Sequence, residues 1–332
     1  MRLGVLDVGS NTTHLLVVDA HRGGHPTPTH SEKTTLRLAE RITPDGELSQ
    51  DGAEDLVAAV AAARDSAIRL GCSELMAFAT SAVREATNAA DVLRQVYERT
   101  GVDLEVLSGA DEARLTFLAV RRWFGWSAGR LLVLDIGGGS LEMAIGVDEV
   151  PDTALSLPLG AGRVTRTRFS NDPPSRSELV DTCAWLDEQL SGVREQVMAN
   201  GAPDHAVATS KTFRSLARLT GAAPSAAGPR VRRTLTDTAL SQLIAFISRM
   251  TAADLAEIDG VSPSRAHQLV GGALVAQATM RALGVSELTL CPWALREGVI
   301  LRRLDHTDLD AHGEVWSQQV GPSGVGPARR RA

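Results

Sequence analysis

Two short stretches decide the fold of this chain: residues 7–13, Asp7-Val8-Gly9-Ser10-Asn11-Thr12-Thr13, and residues 135–142, Asp135-Ile136-Gly137-Gly138-Gly139-Ser140-Leu141-Glu142. Each stretch lies between two apolar runs, so each predicts a strand, a tight turn and a second strand. The turns combine glycines, whose backbone N–H groups can approach an anion closely, with hydroxyl side chains and an acid that can hold a divalent cation. A chain that makes this turn twice is predicted to bind phosphate groups between two related halves.

One such turn alone is a weak indication, because an Asp-x-Gly-Ser turn also suits an ordinary β-hairpin. Its occurrence in both halves of the chain favours a pair of phosphate loops. The predicted phosphate-binding residues of the two loops are Gly9, Ser10, Asn11 and Thr12 in the first, and Gly137, Gly138, Gly139 and Ser140 in the second.

The two stretches resemble the phosphate loops of the actin, sugar kinase and heat-shock ATPase superfamily, and most closely those of its exopolyphosphatase and guanosine pentaphosphate phosphohydrolase family. Three further segments are similar to motifs of that family and follow in the same order: Thr80–Asn88, Ser108–Leu115 and Ala294–Val299. The resemblance extends over residues 1 to about 300. It implies two actin-like (ribonuclease H-like) α/β domains, with mixed sheets flanked by helices and an active site in the cleft between the domains.

The length of the chain also favours two domains, because 332 residues exceed the usual size of a single hydrophobic core. We expect an N-terminal domain at residues 1–125, a C-terminal domain at 126–310 and a disordered tail at 311–332. Apolar periodicity predicts one long helix over residues 177–199. The resemblance implies that the last helix, at about residues 294–305, packs back on the first domain.

Composition predicts a cytoplasmic enzyme. The net charge of −6 argues against nucleic acid as a partner. No apolar run approaches about 18 residues, and the chain enters a strand at once without a leader, so we expect neither a membrane span nor secretion. Three widely spaced cysteines, Cys72, Cys183 and Cys291, show no metal or disulfide pattern. The resemblance implies a homodimer.

Glu112 is the candidate catalytic residue. Hydrolysis of a phosphoanhydride needs a group that orients or deprotonates the attacking water. An acid in the first turn of a helix is also a common capping or dipole partner, so its position alone does not assign this role. The similarity of Asp111-Glu112-Ala113-Arg114 to the family's Glu-Glu-Ala-Arg motif implies that Glu112 is the general base, although Asp111 replaces the first Glu of the motif.

Asp135 and Glu142 are the candidate ligands of a magnesium ion, for which Mn²⁺ is an alternative. The two acids flank one tight turn, and Mg²⁺ usually takes one or two carboxylates while keeping several waters. The resemblance implies that both acids contact the metal. Asp7 has a similar place on the first loop and is expected to join through a water. A merely exposed strand carboxylate is the competing interpretation of Glu142.

Two further groups are predicted to bind phosphate. Arg84 follows the end of a predicted strand, and its guanidinium can bridge two phosphate oxygens, although a surface ion pair is the alternative. Ser210, Lys211 and Thr212 open a predicted helix, whose first N–H groups favour anions. Lys211 stands where the family usually has glycine, so it either crowds the site or adds a positive charge.

The resemblance therefore implies a Mg²⁺-dependent exopolyphosphatase that removes terminal orthophosphate from linear inorganic polyphosphate. A guanosine pentaphosphate phosphohydrolase with the same machinery is the first alternative, which adds nucleotides to the candidate ligands. A sugar kinase would use an aspartate base, and a noncatalytic phosphate or nucleotide sensor would lose the base; Glu112 disfavours both. Trp293 replaces a small residue of the family pattern and is expected to narrow the cleft, and longer relatives carry additional helical domains. Both points predict a preference for short chains.

Overall fold

The computed structural model describes residues 1–21 and 26–310, with side chains described as far as residue 306. The predicted tail at 311–332 lies outside the described residues. Within the described ranges, no helix is both long enough and apolar enough to cross a bilayer. The domain limits at residues 125 and 126 remain a prediction.

Two mixed sheets organise the chain. The first contains β1 Arg2–Val8, β2 Thr12–Asp19, β3 His30–Thr35, β4 Glu74–Ala79 and β5 Leu104–Val106. The second contains β6 Leu131–Ile136, β7 Leu141–Gly146, β8 Thr153–Leu157, β9 His205–Ala208, β10 Thr234–Thr236 and β11 Glu287–Leu290.

The two sheets repeat one topology. The first has the order β3-β2-β1-β4-β5, and the second has β8-β7-β6-β9-β11 with β10 added at the edge. In each, an antiparallel hairpin (β1–β2 or β6–β7) continues into a parallel pair (β1–β4 or β6–β9). The central strands β1 and β6 are almost continuously apolar because helices cover both of their faces. This repetition places the two tight turns at equivalent ends of the two sheets.

Helices cover the sheets and connect their strands. They are α1 Gln50–Arg69, α2 Ser81–Arg84, α3 Ala89–Thr100, α4 Gly109–Phe124, α5 Ala161–Arg168, α6 Arg176–Gln189, α7 Val193–Val197, α8 Lys211–Leu219, α9 Asp237–Ile247, α10 Ala252–Ala256, α11 Leu269–Leu283 and α12 Leu295–Asp310. The prediction of a single helix over residues 177–199 is wrong, because α6 ends at Gln189 and a separate helix, α7, begins at Val193. Gly192 takes φ 75° there, a left-handed conformation that interrupts the helix.

Helices α4 and α12 cross between the two sheets. Helix α4 packs on β6, β7 and β8, whereas Val299 and Ile300 of α12 are buried with Leu3 and Val5 of β1. The helices approach so closely that a Cβ on Gly298 would lie 2.0 Å from the carbonyl oxygen of Leu115. The pair therefore joins the two halves and fixes the distance between their phosphate loops.

Candidate active site

The two predicted phosphate loops have the same local structure. In the first, the N–H of Gly9 donates to the carbonyl of Thr12 at 3.0 Å; in the second, the N–H of Gly137 donates to the carbonyl of Ser140 at 2.9 Å. Each turn connects a central strand to its antiparallel neighbour. The predicted relation between the two loops is thus a structural repeat.

The loops face each other across the gap between the sheets. A Cβ on Gly138 would lie 3.0 Å from the Cβ of Ser10, and one on Gly139 would lie 2.5 Å from the hydroxyl of Ser81. The hydroxyls of Ser10 and Ser81 are hydrogen-bonded at 2.8 Å. None of the loop glycines has a positive φ, and close approach to Ser10 and Ser81 accounts for the glycines at positions 138 and 139.

Helix α5 holds the second loop from behind. The N–H groups of Ala161 and Arg163 donate to the carbonyls of Gly137 and Gly138, both at 3.0 Å. Gly160 precedes this helix so closely that an added Cβ would lie 2.3 Å from the carbonyl carbon of Gly139. The orientation of the loop therefore depends on the start of α5.

Asp135 and Glu142 face the same gap, as predicted from the hairpin. They are direct register partners across β6 and β7, which puts their side chains on one face of the sheet. Thr209 donates a hydrogen bond to Asp135, and Ser156 donates one to Glu142 at 2.9 Å. Burial raises the pKa of Asp135 to about 6, and burial together with the charge of Asp135 raises the pKa of Glu142. Glu142 is 5% exposed, which argues against the exposed-carboxylate interpretation.

Glu112 lies in the first turn of α4, behind the cap formed by Ser108, whose hydroxyl accepts from the N–H of Asp111 at 3.1 Å. Its side chain is buried and bound by the guanidinium of Arg84, which also donates to the carbonyl of Leu107 at 2.8 Å. Burial and then the charge of Glu142 raise the pKa of Glu112, and Arg84 opposes that shift. A buried carboxyl with a raised pKa accepts a proton readily near neutral pH.

Asp7 is the penultimate residue of β1, as Asp135 is of β6. Its register partner is His14, where the second hairpin has Glu142. Burial raises the pKa of Asp7, and Arg296 lies 4.0 Å from its carboxylate. The first hairpin thus supplies one acid, which lies near a cation of α12, whereas the second hairpin supplies two acids.

A cleft of about 410 Å³ runs between the loops. Thirteen predicted residues line it: Asp7, Gly9, Ser10, Asn11, Thr12, Glu112, Asp135, Gly137, Gly138, Ser140, Glu142, Ser210 and Lys211. Three others do not line it. Arg84 lies behind Glu112, Gly139 faces Ser81, and Thr212 packs against Gly272 of α11.

The cleft also has a basic lining that is rich enough to balance its acids. Its cations are Lys33, Lys211, Arg214, Arg265 and Arg296. The side chain of Lys211 lines the cleft, where it adds a positive charge. Lys33 and Arg265 had no signal in the sequence, because β3 and the 3₁₀ helix Pro263–Gln268 reach the cleft only through the tertiary fold.

The interpretation of Trp293 needs correction. Its ring packs edge-on against Trp123, with centroids 5.2 Å apart, and it is absent from the described lining of the cleft. The chain turns so that Ala294, Leu295 and Arg296 face the cleft instead. Trp293 therefore gives no support for a narrowed cleft.

Ser210, at the start of α8, is strained. Its φ of 62° and ψ of 163° fall in a region that is nearly exclusive to glycine, which costs about 1–3 kcal/mol. The strain accompanies a role as helix cap, since its hydroxyl accepts from the N–H of Phe213 at 3.5 Å. It also lines the cleft, where strained residues commonly serve function.

Ser210→Gly should therefore stabilise the protein. Relief of strain outweighs the few tenths of a kcal/mol that Gly costs at a cap, so we expect a net gain of about 1 kcal/mol or more in the free energy of unfolding. Thermal unfolding measures the change. Ser49→Gly is the matched control, because Ser49 caps α1 with an ordinary φ of −59°. A lower melting temperature for Ser210→Gly than for Ser49→Gly would refute the strain argument.

The acids of the cleft suit a hard cation with few protein ligands. Among residues 1–21 and 26–310, no group of three or more His, Cys, Asp or Glu side chains is arranged to hold a metal. Asp135 and Glu142 form a pair across β6 and β7, and Asp7 makes no group of three with them among the described residues. Two buried carboxylates with raised pKa values fit Mg²⁺, which completes its shell with waters and phosphate oxygens.

Stability in the absence of metal should fall as pH rises. The pKa values of Glu112, Asp135 and Glu142 in the folded chain are raised above those of the unfolded chain, so the unfolded chain loses these protons first. Their stabilising contribution is complete below about pH 4 and is lost as pH rises through about 6 and beyond. We expect the melting temperature in EDTA to fall between pH 5 and 8, and Mg²⁺ to raise it more at pH 8. A flat profile in EDTA would contradict this prediction, and Asp135→Asn should weaken both trends.

The chain is similar to known phosphatases in sequence and in fold. The Ppx/GppA phosphatase family matches residues 17–307. Proteins named Exopolyphosphatase 1 from Mycobacterium tuberculosis and Mycobacterium leprae are 61% and 64% identical to this chain. The first alignment covers 100% of this chain and 97% of its relative, and the second covers 92% and 90%.

The crystal structure of an exopolyphosphatase from Cytophaga hutchinsonii is similar with a TM-score of 0.82 at 25% identity, over 92% of this chain and 98% of that one. It confirms the predicted class of two actin-like α/β domains. A more distant relative from Aeromonas hydrophila, named guanosine-5'-triphosphate,3'-diphosphate pyrophosphatase, is 27% identical over 92% of this chain and 60% of its own length.

Proposed function

Because this chain belongs to the Ppx/GppA phosphatase family, we propose that it is an exopolyphosphatase that removes terminal orthophosphate from linear inorganic polyphosphate. One observation carries the proposal: buried Glu112 and the Asp135–Glu142 pair line the same cleft, together with the two phosphate loops. The 61% identity to Exopolyphosphatase 1 of Mycobacterium tuberculosis supports polyphosphate as the substrate.

The two loops hold the terminal phosphate of the chain. Backbone N–H groups and hydroxyls of the loops bind its oxygens, since glycine lets the backbone approach them. Lys33, Lys211 and Arg265 bind the phosphates that follow. Burial lowers the pKa values of these three side chains, and none of them has a carboxylate at hydrogen-bond distance within residues 1–21 and 26–306. The remote part of the substrate therefore contributes binding energy that positions its reacting end.

Glu112 accepts a proton from the water that attacks the terminal phosphorus. Arg84 fixes the orientation of the Glu112 carboxylate, while Ser156 and Thr209 fix Glu142 and Asp135. Asp135 and Glu142 would hold Mg²⁺, with Mn²⁺ as a substitute, and Asp7 would join through a water. A cation held by these residues would supply positive charge that neutralises the phosphate and polarises the phosphoryl oxygens.

The size of the cleft bears on the length of the substrate. A cleft of about 410 Å³ suits a ligand of a few phosphate units, which supports a preference for short chains.

We propose a cytoplasmic homodimer, as the family resemblance implies. Analytical ultracentrifugation tests the dimer: a single species of twice the chain mass is expected, and a monomer at micromolar concentration contradicts it.

Release of orthophosphate from a panel of substrates tests the function. Short polyphosphate, long polyphosphate, guanosine pentaphosphate and ATP are compared with Mg²⁺ and with EDTA. We expect the highest kcat/KM on short polyphosphate and loss of turnover in EDTA. Rates that increase steadily with chain length would contradict the short-chain preference, and absence of polyphosphate hydrolysis would overturn the function.

Guanosine pentaphosphate hydrolysis is the second candidate, and a specific cavity favours it. A space of about 310 Å³ adjoins the cleft at Lys211 and Arg214. Its other walls include Pro224, Pro229 and Leu290. A basic entrance with apolar walls suits a nucleoside whose phosphates lie in the cleft. Under this alternative, Ala223→Trp, which fills the cavity, would slow pentaphosphate hydrolysis selectively and spare polyphosphate hydrolysis.

A further inference from the structure

A second cavity lies behind the catalytic carboxylate. This rear cavity has a volume of about 470 Å³ and is lined by Arg84, Glu85, Gly109, Ala110, Ser140 and residues 154–158. Glu112 lines the cleft, and its partner Arg84 lines the rear cavity. Ser140, in the second phosphate loop, lines both spaces.

Two side-chain pairs stand between the cleft and the rear cavity. In the first, Arg84 of the rear cavity binds Glu112 of the cleft; in the second, Ser156 of the rear cavity donates to Glu142 of the cleft at 2.9 Å. The partition at these points is therefore one pair of side chains thick. Both pairs contain an acid that faces the terminal phosphate, so the reaction occurs next to this partition.

The rear cavity has hydrogen-bond donors that a small anion can use. Arg84 uses Nη1 for both of its hydrogen bonds among the described residues, which leaves Nε and Nη2 as donors. Glu85, the acid of the lining, is neutralised by an ion pair with Arg163 of α5. Arg84 is itself paired with Glu112, so each carboxylate at the lining has a basic partner, and the remaining guanidinium donors of Arg84 can bind phosphate oxygens.

We propose that the rear cavity binds the orthophosphate product and leads it to solvent, while the shortened chain stays in the cleft. The inference rests on the proposed function. The attacking water forms a bond to the terminal phosphorus, the bridging P–O bond breaks, and the bridging oxygen stays with the chain. Orthophosphate then passes Arg84 into the rear cavity, and the chain advances from the Lys33 and Lys211 side.

A separate exit has a kinetic consequence. Orthophosphate and the chain can occupy the protein together, so added orthophosphate should inhibit polyphosphate hydrolysis noncompetitively. A single entrance would require the chain to leave first, and orthophosphate would then compete with it. The pattern of inhibition of the native enzyme distinguishes the two arrangements, and competitive inhibition would overturn the proposal.

Calorimetry supplies a test that does not depend on turnover. The protein is saturated with a methylene-bridged triphosphate analogue and Mg²⁺ and is then titrated with inorganic phosphate. We expect inorganic phosphate to bind, and Ala110→Trp, which fills the rear cavity, to weaken that binding about tenfold by removing access to Arg84. Arg114→Trp is the control, because it adds the same ring one turn along on the exposed side of α4.

Two results would overturn the rear exit: no binding of inorganic phosphate to the saturated protein, or equal binding by the two Trp variants. Neither result bears on hydrolysis of polyphosphate, which the substrate panel measures separately. If the panel shows no hydrolysis, the function fails while the calorimetric result still decides whether the rear cavity binds phosphate.

Discussion

Glu112→Gln should lower turnover of short polyphosphate by roughly 10² to 10⁴-fold, the usual contribution of a general base. Gln keeps the shape of the side chain and its contact with Arg84, but it cannot accept a proton from water. Because Glu112 does not hold the substrate, we expect KM to change much less than kcat. Steady-state release of orthophosphate with Mg²⁺ measures both constants.

Asp111→Asn is the matched control for this change. Asp111 precedes Glu112 in the same turn of α4, and it pairs with Arg114 at 3.0 Å rather than lining the cleft. We expect its turnover to stay close to that of the native enzyme. Retention of most of the native turnover by Glu112→Gln would remove Glu112 from the role of base, and equal losses in both variants would indicate a structural effect on α4.

Gly160→Ala should displace the second phosphate loop and destabilise the fold. The added Cβ would lie 2.3 Å from the carbonyl carbon of Gly139 and 2.4 Å from the nitrogen of Ser140, and both are backbone atoms that cannot rotate away. Overpacking of this kind costs about 1–3 kcal/mol of folding stability. A displacement of about 1 Å in the loop would also lower turnover by about 10²-fold, since the terminal phosphate would be misplaced.

Gly137→Ala provides the comparison within the same loop. A Cβ there would meet only the carbonyl oxygen of Ser140, at 3.5 Å, which is ordinary van der Waals contact. We expect the melting temperature of Gly137→Ala to stay close to the native value and that of Gly160→Ala to fall by several degrees. Equal melting temperatures would contradict the packing described for α5 and the loop.

The fold was largely predictable because its decisive features are local. The turns at residues 7–13 and 135–142 each specify a hairpin by their own residues, and their repetition gave the two-sheet plan. The pairing of Asp135 with Glu142 also followed from the hairpin, since register partners share a face. The break at Gly192 was missed because glycine within an apolar pattern is compatible with either a continuous helix or its end.

The parts of the site that depend on long-range packing were not predictable. Lys33 and Arg265 come from elements with no motif, and only the arrangement of the two halves brings them to the cleft. Arg84 was expected to face the phosphates, but α4 places Glu112 against its guanidinium, and Arg84 lines the rear cavity instead of the cleft. Trp293 was assigned to the cleft from position alone, whereas its partner Trp123 is 170 positions away in sequence.

A single turnover of tripolyphosphate in ¹⁸O-labelled water tests the central claim most directly, because it shows which phosphorus the water attacks. Attack on the terminal phosphorus, with Glu112 as base, predicts one ¹⁸O atom in the released orthophosphate and none in the pyrophosphate. Label in the pyrophosphate would mean that water attacks an internal phosphorus, and that result would contradict the account of the site.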